Sequence, residues 1–196
     1  MDRFTRFPDA PISHAGIISR TFLDMGIDRF IAACRYVHEL PYGYNSDKDD
    51  LMILFKEKKG TCTTKHAVIG TLAVELGLPM TKTIGIYAMT EAIVTGTQAV
   101  LEAYRLPYLP MIHCFLTSGS VRVDLTEGNR NGKKRPIDDF LYTEDVRPAI
   151  SAKAEYLLYR RALSEVILRR QELAGVTLKQ VLQAREAGLK VLKSRI

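Results

Sequence analysis

Tryptophan is absent from these 196 residues, and cysteine occurs only three times, at Cys34, Cys62 and Cys114. An odd number of cysteines with no CxxC pair argues against a disulfide scaffold and for free thiols in a reducing compartment. A cytoplasmic location is the expectation. No apolar run is long enough to span a bilayer, and Met1-Asp2-Arg3-Phe4-Thr5-Arg6 leads into no apolar signal core, so no membrane partner is expected. Neither a GxGxxG after a strand nor a Walker A pattern is present, so nothing points to an organic cofactor. Internal repeats and low-complexity segments are also missing.

The composition that remains is that of a globular chain, 46% hydrophobic and 26% charged, long enough for a sizeable core. Its net charge of +6 is unevenly placed: residues 151–196 hold 10 Lys+Arg against 4 Asp+Glu, while residues 1–150 balance 18 against 18. The basic residues of the tail lie along amphipathic helical patterns without interleaved aromatics. A solvated helix face is therefore expected there, and a nucleic-acid partner is not. The expected organisation is a core over residues 1–150 and a C-terminal amphipathic helical extension over 151–196 packed on it.

In chain order, Pro8 and Pro11 limit early helix, residues 16–25 are helical, and a clearer helix over 28–40 ends at Pro41. Ser46 or Asp47 then caps a short helix carrying Leu51, Met52, Leu54 and Phe55. The acidic run Asp47-Lys48-Asp49-Asp50 fails the EF-hand pattern at Met52 and Lys58, which leaves its carboxylates as first-turn helix charges. Residues 81–89 form a strand, 95–105 a helix, and Pro107 and Pro110 frame a loop. Strands over 111–117 and 120–126 pair as a hairpin through Ser118-Gly119-Ser120. A polar loop covers 127–136, and helices cover 152–174 and 178–192, separated by Gly175.

The chain is organised around Lys59-Gly60-Thr61-Cys62-Thr63-Thr64-Lys65-His66-Ala67. Gly60 breaks a charged run, Thr61 caps, and Gly77 with Pro79 stops the apolar pattern that follows. Cys62 falls in the first helical turn, where backbone N–H groups and the helix dipole favour an anion, so the thiol should ionise readily.

A cysteine nucleophile needs a base, and the base needs an acceptor to fix its tautomer. A hairpin folded about residues 118–119 sets His113 opposite Asp124 on one face, with Cβ atoms about 4.5–5.5 Å apart. His66 has no carboxylate at a comparable position and is expected to be a bystander.

These motifs resemble the transglutaminase-like superfamily of papain-type thiol enzymes. Gly60-Thr61-Cys62 with Leu76-Gly77-Leu78-Pro79 is similar to the family's Cys helix. Ile112-His113-Cys114-Phe115 is similar to its His strand, and Val121-Arg122-Val123-Asp124-Leu125-Thr126 to the strand ending in Asp-x-Thr. The match covers about residues 27–127 in the order Cys, His, Asp. The resemblance implies an α+β fold with the Cys62 helix packed on a small antiparallel sheet. It also implies a Cys62-His113-Asp124 triad that transfers acyl groups from a protein, a peptide or a small amide or ester. The family often places a Trp between the His and the Asp, and some members use one for the oxyanion. With no Trp here, the Cys62 backbone N–H plus Asn45 or Tyr42 become the candidate oxyanion donors.

Two further readings stand beside this one. Cys62 and His66 at i,i+4 are compatible with zinc, but adjacent His113 and Cys114 point to opposite strand faces, so no metal is expected. The alternative function is a non-catalytic interaction module that keeps the fold and docks through its basic C-terminal helices. Lys65 is expected at the surface, His14 and His38 as surface or capping residues, and Cys34 and Cys114 in the core. Oligomeric state is left open.

Overall fold

The computed structural model describes residues 3–196 and is α+β, with seven α-helices and a four-stranded antiparallel sheet among them. The strands are β1 (Thr81–Met89), β2 (Leu109–Ser118), β3 (Val121–Val123) and β4 (Tyr142–Val146), in the order β3-β2-β1-β4. The chain divides into two compact units. The first holds Met1–Thr83, Cys114–Asn129 and Asp145–Ile150; the second holds Ile84–His113, Arg130–Glu144 and Ser151–Ile196.

The first unit is built on α1 (Ile17–Asp24), α2 (Phe30–Glu39), α3 (Ile53–Glu57) and α4 (Cys62–Glu75). Helix α4 packs on both α1 and α2, and Phe22, Phe30, Val37, Leu54, Ile69 and Leu72 fill the core between them. The stop at Gly77 is a Schellman turn: Leu78 N–H donates to Ala73 O at 2.8 Å and Gly77 N–H to Val74 O at 3.1 Å, with Gly77 at φ +65. The last helical residue, Glu75, then caps a different helix. Its carboxylate accepts the Ile18 and Ser19 N–H groups of α1 at 3.0 and 2.6 Å, an anion where the helix dipole favours one.

The second unit is built on α5 (Thr97–Tyr104), α6 (Ala152–Glu165) and α7 (Leu178–Lys193), with α7 packed on α5 and α6. Its core holds Tyr87, Met89, Leu109, Tyr159, Leu163 and Val181. Helix α7 opens with Thr177 Oγ1 accepting from Gln180 N–H at 3.2 Å, and α6 with Ser151 Oγ accepting from Ala154 N–H at 3.2 Å. Gly188 in α7 is required by close approach, since a Cβ there would lie 2.3 Å from Leu109 Cδ2.

Several elements depart from the sequence expectation. The helix expected over 152–174 ends at Glu165 and continues as two short 3-10 turns, Ile167–Arg169 and Gln171–Leu173, which bury Ile167 and Leu173. Pro110 lies inside β2, not in a loop. Pairing with β3 reaches only residues 116–118, so the missing Pro110 N–H faces no β3 partner. Strand β4 was not expected, because its sequence Tyr-Thr-Glu-Asp-Val carries no apolar run. The short helix begins at Ile53, and neither Ser46 nor Asp47 caps it. Ser46 donates to Glu57 through both N–H and hydroxyl, and the Asp47 and Asp50 carboxylates accept from Asp49 and Met52 N–H groups in local turns.

Candidate functional site

Cys62 is the first residue of α4, as its position after Gly60 and Thr61 implies. Gly60 is held by the loop after α2: its N–H donates to Pro41 O at 3.1 Å, and its carbonyl accepts from Gly43 N–H at 3.3 Å. A side chain at Gly60 would collide, its Cβ 2.5 Å from Leu54 Cδ1 and 2.6 Å from Thr64 Oγ1. Thr61 is extended, its N–H donates to Thr64 Oγ1 at 3.1 Å, and its carbonyl accepts the first helical bond from Lys65 at 3.0 Å. The Cys62 side chain sits at the head of a helix whose opening turn is fixed by hydrogen bonds. Cys62 is 7% exposed, whereas Cys34 and Cys114 are fully buried.

The next turn carries His66, which is also fully buried. Its Nδ1 lies 2.6 Å from Cys62 O, and Leu125 N–H points at its Nε2 from 2.9 Å. A carbonyl only accepts and an amide N–H only donates, so Nδ1 carries the proton, Nε2 carries the lone pair and the ring is neutral. Asp124 Oδ1 is 3.6 Å from that same Nε2. Because Nε2 has no proton to give, the contact is not an ion pair. His66, expected to have no carboxylate at a comparable position, thus has the Asp124 carboxylate beside it.

Asp124 stands one residue beyond the end of β3 and closes an Asx turn. Its Oδ1 accepts both the N–H and the hydroxyl of Thr126, each at 2.7 Å. This is the physical content of the Asp-x-Thr spacing. The β2–β3 register pairs Leu116 with Val123, Thr117 with Arg122 and Ser118 with Val121, leaving Gly119 and Ser120 as a two-residue turn. The register is therefore displaced by two positions from the one expected, and Asp124 lies just beyond the paired residues.

Lys65 is not at the surface. It is fully buried, and its Nζ donates to His38 O at 3.0 Å and to Leu40 O. Burial pushes its pKa down to about 8, opposed by the attraction of Asp124. Asn129 Nδ2 donates to the same two carbonyls, so the end of α2 and the loop after it are clamped from two sides. Lys82 is a second fully buried lysine, donating to Thr63 O at 3.1 Å and Pro148 O at 3.0 Å. His38, expected as a surface or capping residue, is half-buried and donates Nδ1–H to Leu125 O at 2.9 Å.

Of the oxyanion candidates, Asn45 is committed elsewhere. Its amide donates to Glu57 Oε2 at 3.1 Å and Lys59 O at 2.9 Å, and its oxygen accepts from Thr64 Oγ1 at 2.8 Å. With both amide hydrogens in use, Asn45 ties the loop to the helix. Tyr42 forms an isolated parallel bridge with Gly60, two residues before Cys62. His113 lies in β2 within the second unit, 1% exposed, its ring edge-on to Tyr87 at 6.3 Å between centroids. The next residue, Cys114, belongs to the first unit, with Sγ 3.9 Å from Thr63 Oγ1.

Sequence reasoning missed Lys65 and Lys82 as buried hydrogen-bonding groups, and His38 and Asn129 as half-buried ones. One signal was available: the apolar residues of the Cys62 helix are spread around it instead of forming one stripe, as expected of a helix buried over most of its surface. Among the described residues, no group of three or more His, Cys, Asp or Glu side chains could hold a metal ion, and no helix is long and apolar enough to cross a membrane. Comparison of the chain with protein-family models, curated proteins and solved structures returned no match.

Proposed function

We propose that this chain is a thiol acyl-transfer enzyme of transglutaminase-like type, acting on an amide or ester of a protein, a peptide or a small molecule. In this reading Cys62 Sγ attacks the carbonyl carbon after giving its proton to His113. The tetrahedral intermediate collapses to a thioester as His113 protonates the departing amine or alcohol. Water or an amine then takes the acyl group and returns the thiol proton. Asp124 orients His113, and the oxyanion is met by the Cys62 backbone N–H with Tyr42 as the second donor, since the Asn45 amide is already spent.

The observation that carries the reading is the placement of Cys62 as the opening residue of α4, in a turn fixed by the Thr61, Thr64 and Gly60 contacts. Anions are stabilised there by the aligned backbone N–H groups. Iodoacetamide labelling at pH 7, followed by peptide mass mapping, tests it. Cys62 is expected to react at least about tenfold faster than Cys34 and Cys114, and His113→Ala to slow Cys62 by a similar factor. Slow, equal labelling of all three thiols, or labelling indifferent to His113→Ala, would sink the enzyme reading in favour of an interaction module.

A further inference from the structure

We infer that His66 is a positioning residue that holds Asp124 at a fixed distance from the backbone of Cys62; the inference rests on the triad proposed above. The imidazole is the spacer. Its Nδ1–H is bound to Cys62 O at 2.6 Å, and its Nε2 accepts the Leu125 N–H at 2.9 Å. That N–H belongs to the peptide group whose carbonyl carbon is Asp124's own. The ring therefore grips the Asp124–Leu125 peptide plane from α4. The other side of Leu125 is gripped as well, since His38 Nδ1–H donates to its carbonyl at 2.9 Å.

Thr126 then fixes the rotation of the Asp124 side chain through two bonds to Oδ1. Backbone position is set by His66 and His38, and carboxylate orientation by Thr126. The neutral imidazole is a rigid planar group that donates on one edge and accepts on another, so it fixes the spacing between its two partners. An ordinary core histidine needs its nitrogens satisfied, but nothing requires its two partners to be the nucleophile's own carbonyl and the peptide of the candidate orienter. Preorganised sites depend on such supporting bonds, because a misplaced group loses most of its effect. His66 touches no reacting atom in this scheme and is not a catalytic residue.

Two conservative variants separate the arms of the spacer. His66→Asn places an amide near Nδ1 and keeps a donor for Cys62 O but loses the acceptor for Leu125. His66→Gln places an oxygen near Nε2 and keeps that acceptor. The readout is the rate of Cys62 alkylation, taken at a temperature where circular dichroism shows each variant folded. His66→Asn is expected to slow it about tenfold and His66→Gln no more than about threefold. In an Asp124→Asn background, His66→Asn should add less than about twofold, because the group it positions is already disabled. Full additivity, or equal wild-type rates in both variants, would overturn the proposal.

A measurement on the unaltered protein decides the matter even if neither variant folds. The long-range 1H–15N spectrum of His66 at pH 7 should show Nδ1 protonated and Nε2 bare. An Nε2–H tautomer or an imidazolium would refute the spacer. Wild-type Cys62 that fails to label selectively instead removes the enzyme reading itself, an outcome distinct from either result above.

Discussion

The first unit buries Thr61, Thr63, Thr64, Lys65, His66, Lys82 and Thr126 among its apolar residues, whereas the second surrounds Tyr159, Leu163, Leu173 and Val181 with side chains that are almost all apolar. Polar groups inside a protein contribute little net stability but are costly to leave unbonded, so each must find its partner in one arrangement. In the first unit those partners are specific: carbonyls at 38, 40, 63 and 148, and the Leu125 amide. Apolar burial in the second is worth roughly 25 cal/mol per Å2 and is indifferent to direction. Directional bonds thus hold the groups around Cys62 and Asp124 in the first interior, and apolar burial holds the part of the second around Tyr159 and Leu163; His113, proposed as the base, is a buried polar group of the second unit.

The largest expected effect on that contrast comes from Leu163→Ala. Leu163 is fully buried in the second unit, and truncation should cost about 2–5 kcal/mol in denaturant unfolding. Cys62 labelling, measured where the variant is folded, should stay at its wild-type rate. A loss below about 1 kcal/mol, or a changed labelling rate, would break the division of labour.

Tyr159→Phe sharpens it at smaller scale. The Tyr159 hydroxyl donates to Pro110 O at 2.8 Å, and burial holds the phenol protonated well above its usual range. Removing it leaves a buried carbonyl short of a partner, so a loss of about 1–2 kcal/mol is expected, again with Cys62 labelling unaltered. An unchanged unfolding midpoint would mean that water replaces the hydroxyl and that this interior is wetter than its composition implies.

How much of this could be read from the sequence followed the range of the forces involved. Gly60, Gly77 and Pro79 act on their immediate neighbours, and they bounded the Cys62 helix correctly; β1 also fell on residues 81–89 as expected. Strand β4 and the break after Glu165 have no such punctuation. They follow from packing, in which Ile167 and Leu173 bury their side chains by leaving the helix. The hairpin was legible but its register was not, because centring the turn two-residue loop at Gly119–Ser120 instead of 118–119 moves every pair. The Asp-x-Thr spacing was legible, and in the structure it is an Asx turn from Asp124 to Thr126. The burial of Lys65 and Lys82 was not legible. Their acceptors lie up to 66 residues away along the chain, and no local pattern marks a lysine that will meet them.

Lys65 gives the smallest effect per unit of change and tests whether the polar interior carries a standing cost. Burial lowers its pKa from 10.5 to about 8, with Asp124 opposing the shift. Below pH 8 both folded and unfolded chains hold the proton, so Lys65 adds no pH dependence there. Between about pH 8 and 10.5 the unfolded chain binds the proton more tightly than the folded one, and stability must rise with pH. Lys65→Met abolishes this term while leaving the other titrating groups in place, so the difference between the two proteins isolates it. The offset at pH 7 depends on how well Asn129 alone satisfies His38 O and Leu40 O. The slope does not. In urea unfolding, wild type should gain on Lys65→Met by roughly 1 kcal/mol per pH unit from pH 8 to 10, most of one proton's maximum. A flat difference would mean that Lys65 ionises as a solvated lysine does, and that the first interior is open to water at the turn beside Cys62.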